Sequence, residues 1–590
     1  MYKIINASNP MEIKTKIPKK HKGSQKKEFI IAIAILLIIN IIASFFYLRL
    51  DLTADKRYTL RPITKQILKQ ANEAVYIKVY LTGELPSGFV RLEHSVKELL
   101  EEFKIYQKNI HFEFIDLYKI ENEQARNQVI KELLDKGMQP TQLEVKAEGG
   151  MTRRLIFPCA EVSVGDKFVA VKILVEQFSR SSEETLNNSV QNIELQFISA
   201  IRSLFATQRK SIAILDGHQE LEHIRSLSFA YDLTEFYDVK RIRFQNDPGA
   251  LLAYDTVSKQ VVPLFNLLII AQPKLAFSED EKYSLDQYVM RGGRILWLLD
   301  AASASLDSLR GVDEIMSQYY ALNLEDLLFH YGVRVQANMV LDLNGTGVPV
   351  VTGYMGGQPN TEFMPLVYLP LLNPIACNME HPINKGVGLI RSEFISTLDT
   401  IENEISKTIL LRTSKYSKTI RVPNLVSLEI LKDKLDPHIF KDGPQNVAVL
   451  LEGDFTSAYK RRIPTSEIFQ SLTFVEKAKN NKMIVISDGD LMKNDLHYSQ
   501  KYPMPLGFDQ YSKQMYDNKA FLINCVHYLC NENAWMDLKA REVKLRLLDK
   551  TRIENERLKW QVFTLVVPNL AIILCGIAFY MYRKRKYGHK

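Results

Sequence analysis

The chain has 590 residues, of which 46% are hydrophobic and 24% charged, proportions that exclude a largely disordered protein. Its net charge of +8 lies at the ends, because residues 1–28 carry +6 and residues 583–590 carry +5, which leaves 8 − 11 = −3 for the rest. A body without positive charge argues against nucleic-acid binding, and five scattered cysteines without CxxC or zinc spacing argue against a disulfide framework or a zinc site.

The first predicted element is a transmembrane helix at residues 29–48, which follows a basic cytoplasmic tail at residues 1–28. Its twenty residues carry no charge. At about 1.5 Å per residue they reach about 30 Å, the thickness of a bilayer core. The apolar run is longer than that of a usual signal peptide, and no small-residue cleavage site follows it, so we predict a membrane anchor.

A membrane-proximal collar is predicted at residues 49–74, and it contains the string DLTADKRYTL at positions 51–60. Directly after an N-terminal span, this string resembles the opening of the accessory proteins of gliding-motility ABC transporters, the GldG group. Nothing in its chemistry points to catalysis, so a structural role at the membrane surface is expected. The motif positions singled out are Asp51, Leu52, Thr53, Lys56, Arg57, Tyr58, Thr59 and Leu60.

Residues 75–184 alternate between strand and helix patterns and predict a mixed α/β domain that resembles thioredoxin. Helices are expected at residues 87–107 and 121–136. The CxxC motif is absent, so redox chemistry is not expected. A helix at residues 192–205 is predicted to lie within a linking segment, residues 185–209.

Residues 210–535 predict a doubly wound α/β domain, because fully apolar strands alternate with helices. An insertion is expected around residues 306–480, including a flexible glycine-rich loop at residues 345–359. Ser278 and Glu281 form a capping-box pattern that predicts the start of a helix. Ligands of such sheets bind at the carboxyl ends of the strands, here near residues 216–220, 272–273 and 300–305.

The string DGHQE places Asp216, His218 and Glu220 at one strand end, where a metal site or a general base is conceivable. Hydrogen bonding that shapes the turn is the favoured interpretation. The resemblance implies a fold similar to glutamine amidotransferases, whose enzymes need a nucleophilic cysteine after a strand. Here the strand that ends at Asp300 runs into two alanines, and no GxSxG occurs, so binding or scaffolding is predicted.

The string ISDGDLMKND offers Asp488, Asp490 and Asp495, whose spacing could hold Mg²⁺ or Ca²⁺, but it departs from the EF-hand pattern and a capped turn is favoured. We assign no metal and no cofactor. The absence of a Walker A motif excludes ATP hydrolysis by a P-loop. The candidate ligand- or partner-binding residues are Asp216, His218, Glu220, Asp300, Asp488 and Asp490.

The chain is predicted to end with a juxtamembrane stalk at residues 536–561, a transmembrane helix at 562–582 and a basic cytoplasmic tail at 583–590. Two spans would hold both ends in a bacterial inner membrane, with the body in the periplasm. The expected function is a non-enzymatic ABC transporter subunit that works with permease and ATPase subunits in the lipid bilayer and binds an unidentified ligand outside it. The alternatives are an envelope hydrolase acting on glycan or peptide, using Asp216, His218, Glu220 and Asp300, and a passive scaffold.

Overall fold

The computed structural model describes residues 29–31, 33–38, 40, 59–147, 150–175, 182–205, 209–244, 248–256, 259–355, 357–431, 435–460, 473–497, 499–532 and 550–587. The chain divides into two compact units, Met1–Thr59 and Leu60–Lys590. In the first unit a short apolar helix, α1 (Phe29–Ile38), falls within the predicted span at residues 29–48. The remainder of that span lies outside the described residues, apart from position 40.

The second unit begins with a four-stranded α/β sheet. Its elements are α2 (Pro62–Gln70), β1 (Val75–Val79), α3 (Ser87–Tyr106), β2 (Ile110–Phe114), α4 (Glu123–Asp135), β3 (Thr141–Ala147), β4 (Gly150–Ile156), β5 (Cys159–Val164), β6 (Lys167–Lys172) and α5 (Ser182–Phe205). The strand order is β2-β1-β5-β6, with β1 parallel to β2 and antiparallel to β5. Strands β3 and β4 form a separate hairpin. Alternate residues of β1 are buried, as expected for a strand with one face on a core.

The segments predicted as collar and linker belong to the core of this sheet. Leu60 and Leu68 of the collar pack into the same hydrophobic cluster as Ile198 and Ile201 of α5. Helix α5 begins at Ser182, ten residues before the predicted start at 192, and apolar residues recur along it at helical spacing. The predicted linking helix is therefore a structural helix of the first α/β body, and the collar at residues 49–74 becomes part of that body from Leu60 onward.

The rest of the chain builds a larger α/β body and a C-terminal helix. Its elements are β7 (Ser211–Asp216), α6 (His223–Thr234), β8 (Asp238–Arg243), β9 (Leu252–Asp255), β10 (Gln260–Pro263), β11 (Leu267–Ala271), α7 (Glu279–Met290), β12 (Arg294–Leu298), β13 (Glu314–Ser317), α8 (Glu325–Tyr331), β14 (Val333–Val335), β15 (Asn338–Asp342), β16 (Gly345–Met355), β17 (Gln358–Leu372), α9 (Pro374–Asn378), β18 (Ile390–Arg391), β19 (Leu398–Thr400), β20 (Ser406–Arg412), β21 (Ser417–Arg421), β22 (Asn424–Ser427), β23 (Asn446–Thr456), β24 (Lys477–Ile486), α10 (Asn518–Leu529) and α11 (Lys550–Tyr587).

A seven-stranded sheet in the order β20-β23-β24-β12-β11-β7-β8 forms the centre of this body. The five strands from β8 to β24 are parallel, β23 runs antiparallel to β24, and β20 runs antiparallel to β23. All five residues of β11 are buried, which explains why that strand reads as a continuous apolar run. Helices α6 and α10 cover one face of the sheet, and α7 and α8 cover the other.

The predicted insertion at residues 306–480 differs from the structure in two ways. It contributes β20 and β23 to the main sheet, so it is only partly an insertion. The segment predicted as a glycine-rich loop, residues 345–359, is the first arm and turn of a long hairpin between β16 and β17. Valine, threonine and tyrosine favour strand there. Gly345 serves close packing, since a Cβ on it would lie 2.4 Å from the carbonyl oxygen of Leu366.

The last two helices differ in how much of their surface is buried. Nine of the twelve residues of helix α10 are buried, because it lies between the sheet and surrounding loops. Helix α11 joins the end of the predicted stalk and the predicted span in one helix of 38 residues that contains Pro568. Its segment Glu556–Arg585 is long and apolar enough to cross a membrane, with none of the apolar window buried against the protein.

Candidate functional site

The strand order reverses between β7 and β11, and a crevice at the carboxyl ends of such strands is where ligands of this sheet type bind. The turn after β7 requires a glycine, since Gly217 has φ +138°. This turn is tied to the loop after β11, because Lys274 and Leu275 donate backbone hydrogen bonds to the carbonyl oxygen of His218 at 2.8 and 3.1 Å. These backbone hydrogen bonds to His218 therefore connect the two loops on either side of the crevice.

The side chain of His218 is buried between two carboxylates. Its Nε2 lies 3.2 Å from Oε2 of Glu281, and its Nδ1 lies 3.4 Å from Oε1 of Glu220. Its ring stacks on Phe277 with centroids 3.9 Å apart. Burial alone would lower the pKa of His218, but the hydrogen bonds and charges of Glu220 and Glu281 outweigh it and raise the pKa to about 9. At neutral pH His218 is thus an imidazolium held by two acids.

The structure joins only part of the predicted DGHQE group. His218 and Glu220 are in contact, whereas Asp216 is half-buried and its Oδ2 lies 3.8 Å from Nε of Arg243. Glu281, the third member of the observed group, comes from the first turn of α7, where it also completes the predicted capping box with Ser278. The pattern S-x-x-E revealed the cap but gave no signal for the contact with His218, which is 63 residues away.

A second group of acids lies where β12 and β24 end side by side. Carboxylate oxygens of Asp300, Asp488 and Asp490 lie within 4.8 Å of one another, and all three residues are buried. Asp300 accepts hydrogen bonds from the backbone nitrogen of Gly489 at 2.5 Å and from Nε2 of Gln272 at 2.9 Å. Gln272 follows β11, so three neighbouring strand ends contribute to this group, hereafter the acidic cluster.

Two cations and a further acid border the acidic cluster. Lys493 Nζ lies 2.7 Å from Oδ1 of Asp490 and 2.9 Å from Oε2 of Glu393. Arg391 lies 3.0 Å from Oε1 of Glu393 and 3.7 Å from Oδ2 of Asp495. Asp495, which the sequence grouped with Asp488 and Asp490, thus pairs with Arg391 instead. Sequence reasoning missed Arg391 and Glu393, which lie about a hundred residues earlier in a stretch without a motif.

Burial sets the protonation of these acids. It raises the pKa of Asp300 to about 7, with a further contribution from the charge of Asp490. Burial also raises the pKa of Asp488 well above its usual value, assisted by Asp300 and Asp490. The pKa of Asp490 is raised by burial as well, although Lys493 opposes the shift. For Glu393 burial acts in the same direction, but Lys493 and Arg391 outweigh it and lower the pKa.

A cavity of about 730 Å³ adjoins the acidic cluster. Asp300 forms part of its lining, together with Tyr320 and polar residues such as His330 and Arg334 from α8 and β14. A volume of this size suits a small molecule. Of the segment predicted to border a ligand, residues 300–305, Asp300 and Ala301 line this cavity, and ligand binding there stays a prediction.

Helix α5 contacts both the start of the first α/β body and the end of the larger one. At the N-terminal end, the backbone nitrogen of Arg61 and Oγ1 of Thr64 donate to Oε1 of Glu194 at 3.0 and 2.7 Å. At the C-terminal end, the carboxylate of Glu532 lies 2.9 Å from Arg202 and 3.0 Å from Lys210. Burial alone would raise the pKa of Glu532, but these two cations outweigh it and lower the pKa.

Of the membrane-proximal motif, the structure describes only the last two residues, Thr59 and Leu60. Leu60 is buried in the core that includes α5, and Thr59 immediately precedes it. The positions Asp51, Leu52, Thr53, Lys56, Arg57 and Tyr58 lie outside the described residues. The end of the motif is therefore the point where the chain joins the first α/β body.

Residues 209–525, more than half of the chain, match the family described as an ABC-type uncharacterized transport system. The chain belongs to this family. Membership makes it an accessory component of an ABC-type transport system, and it is consistent with the prediction of a non-enzymatic role. Residues 54–163 match a second family, a domain of unknown function, DUF7088.

Other relatives of this transport-system protein are distant. An uncharacterized protein of Borreliella burgdorferi is 20% identical over 566 residues, which cover 94% of this chain and 96% of the relative. Among solved structures, the N-terminal domain of mmIFT52 matches with 13% identity, a TM-score of 0.30 and coverage of 54% of this chain and 97% of that one. A ThuA-like protein from Parabacteroides merdae matches with 11% identity, a TM-score of 0.26 and coverage of 55% and 91%. At these TM-scores neither structure bears on fold or function.

Proposed function

We propose that this protein is a non-enzymatic, doubly anchored subunit of an ABC transporter complex in a bacterial inner membrane, with its α/β body in the periplasm. Its partners would be the ABC permease and ATPase subunits and the lipid bilayer. The resemblance of DLTADKRYTL to the GldG group adds a role in gliding motility or an associated secretion process. The thioredoxin-like and amidotransferase-like domains would bind a substrate or partner outside the membrane.

The observation that carries this proposal is that the start of the first α/β body and the end of the larger one both contact α5. Glu194 and Arg202 are eight residues apart, which is about 12 Å along a helix. The chain therefore enters the body beside Glu194, after the predicted first span, and leaves it beside Arg202, before α11. A movement of either anchor relative to the other would act on one helix. Since α5 is buried in the first core, that helix would pass the movement to the body.

The hydrolase alternative has less support from the geometry. A general base needs a side chain free to reach a substrate proton. His218 instead forms a hydrogen bond with Glu281 through Nε2, has Glu220 3.4 Å from its Nδ1 and stacks on Phe277. Asp216 lies apart from it. This arrangement is the one expected for a residue that fixes a turn. The scaffold alternative shares the anchors and predicts no ligand.

The proposal is tested by purifying the tagged full-length chain in mild detergent and identifying the proteins that accompany it. We expect an ABC ATPase and a polytopic permease. A variant that lacks residues 562–590 should lose both. A matched variant, in which the apolar residues of 563–582 are rearranged at the same composition, should remain in the membrane but lose the permease, because its packing surface is changed.

The result that would overturn the proposal is recovery of the full-length chain without either ABC subunit. Recovery of both subunits with the variant that lacks residues 562–590 would overturn the role of the second anchor. The topology is tested separately by fusing, after residue 590, a reporter enzyme that is active only in the cytoplasm. We expect this fusion to be active.

A further inference from the structure

In its fully ionised form, the acidic cluster together with Glu393 and Asp495 would carry more negative charge than the neighbouring cations can balance. If all were ionised, Asp300, Asp488, Asp490, Glu393 and Asp495 would supply five negative charges, while Lys493 and Arg391 supply two positive ones. Both cations are already engaged, since Lys493 bridges Glu393 and Asp490, and Arg391 bridges Glu393 and Asp495. Within the described part of the chain, no lysine or arginine pairs with Asp300 or Asp488.

Two carboxylate oxygens in the cluster have no partner. Oδ1 of Asp488 and Oδ2 of Asp490 are buried and accept no hydrogen bond from the described residues. Asp488 is completely buried and Asp490 is 6% exposed. A buried carboxylate oxygen without a donor is costly, so such atoms need an explanation in a folded protein. The other oxygens are held in place, because Asp300 is oriented by Gly489 and Gln272, and Asp490 by Lys493.

We propose that Asp300, Asp488 and Asp490 bind a hard divalent cation, Mg²⁺ or Ca²⁺, at the carboxyl ends of β12 and β24. The donors are oxygens only, which is the ligand set that these ions prefer over softer metals. One such ion would supply a partner for the two unpaired oxygens and reduce the excess charge from −3 to −1. The three residues come from two adjacent strand ends, so the parallel sheet fixes their spacing before an ion arrives.

The neighbouring cavity could admit such an ion and the ligand that it would bind. Of the three acids, Asp300 lines the cavity of about 730 Å³, which therefore lies next to the cluster. A cation there would present its remaining coordination positions to a ligand with carboxylate, phosphate or hydroxyl oxygens. Arg334, which also lines the cavity, would complement an anionic group. This inference does not depend on the transporter assignment.

The test uses the full-length chain in detergent, treated with EDTA and then freed of it. Metal content after re-addition of Mg²⁺ or Ca²⁺ is measured by mass spectrometry, and affinity by isothermal titration calorimetry. We expect one ion per chain and a rise in Tm of roughly 4 °C at a hundredfold excess over Kd. D488N should weaken binding by at least about tenfold. In the metal-free state D488N should be at least as stable as the wild type, since it removes like-charge repulsion, so misfolding would not confuse the result.

D495N is the matched control. Asp495 lies in the same segment and is half-buried, and its Oδ2 lies 3.7 Å from Nη1 of Arg391. D495N should bind the ion with an affinity close to that of the wild type. Equal weakening by D495N and D488N would mean that general negative charge attracts the ion, and it would overturn the site. Absence of both bound metal and a shift in Tm for the wild type would overturn it as well, and would leave the carboxyl groups sharing protons.

Discussion

Replacing His218 by glutamine should remove a pH-dependent part of the stability of the larger α/β body. The imidazolium is almost completely buried and contacts Glu220 and Glu281. Its pKa is raised from 6.5 to about 9 in the folded protein. Protonated His218 therefore stabilises the folded state fully below pH 6.5, and this contribution is lost as the pH rises through about 9.

The size of the effect follows from the shift. Each pKa unit corresponds to about 1.4 kcal/mol, so the contribution is about 3 kcal/mol near pH 6 and under about 1 kcal/mol near pH 9. Glutamine can keep a hydrogen bond to one carboxylate but supplies no charge. The loss of the imidazole ring that stacks on Phe277 adds roughly 1 kcal/mol of destabilisation at any pH. H218Q should therefore be less stable than the wild type by about 3–4 kcal/mol near pH 6 and by roughly 1–2 kcal/mol near pH 9.

The assay is urea unfolding of the full-length chain in detergent at pH 6, 7, 8 and 9, followed by the fluorescence of Trp297, which is fully buried in the sheet. Trp535 and Trp560 are replaced by phenylalanine so that Trp297 is the only reporter. H223Q is the matched control, because His223 is exposed at the start of α6. The same pH dependence in H218Q and the wild type would refute the assignment of a buried imidazolium.

Three further predictions concern packing and the link to the anchors. Asp286→Ala should cost roughly 3–5 kcal/mol in urea unfolding, because Asp286 is fully buried and accepts hydrogen bonds from four partners. Gly293→Ala should cost about 1–3 kcal/mol by the same measurement, since its Cβ would lie 2.4–2.5 Å from the ring of Tyr288. Glu532→Gln should lower stability by about 1–2 kcal/mol, and a double-mutant cycle with Arg202→Met should give a coupling energy of at least about 0.5 kcal/mol. Additive effects would show that the contact between the C-terminal end and α5 is absent.

Local patterns in the sequence predicted local structure well. The capping box of Ser278 and Glu281 is present as predicted, because its two residues are three positions apart and depend on no distant contact. The apolar strands β7, β11 and β12 were predicted to belong to one doubly wound sheet, because they alternate with helices, and they lie in the parallel part of the observed sheet.

Features that depend on distant contacts were missed. The partner of His218 lies 63 residues away, and the hydrogen bond between Gly489 and Asp300 spans 189 residues, so neither contact leaves a local pattern. The hairpin of β16 and β17 was mistaken for a loop because its glycines were given more weight than its valines, while Gly345 allows close packing instead of flexibility. Helix α5 was taken for a linker because its apolar stripe does not show which core covers it.

The central claim, a subunit that docks beside an ABC permease, is tested most directly by crosslinking inside the membrane. A photoactivatable amino acid in place of Ile572, which is exposed on α11, would be activated in native membranes. The account predicts a covalent adduct between this chain and a polytopic permease, identified by mass spectrometry. Adducts with lipid alone, from Ile572 and from positions on the other faces of α11, would contradict it.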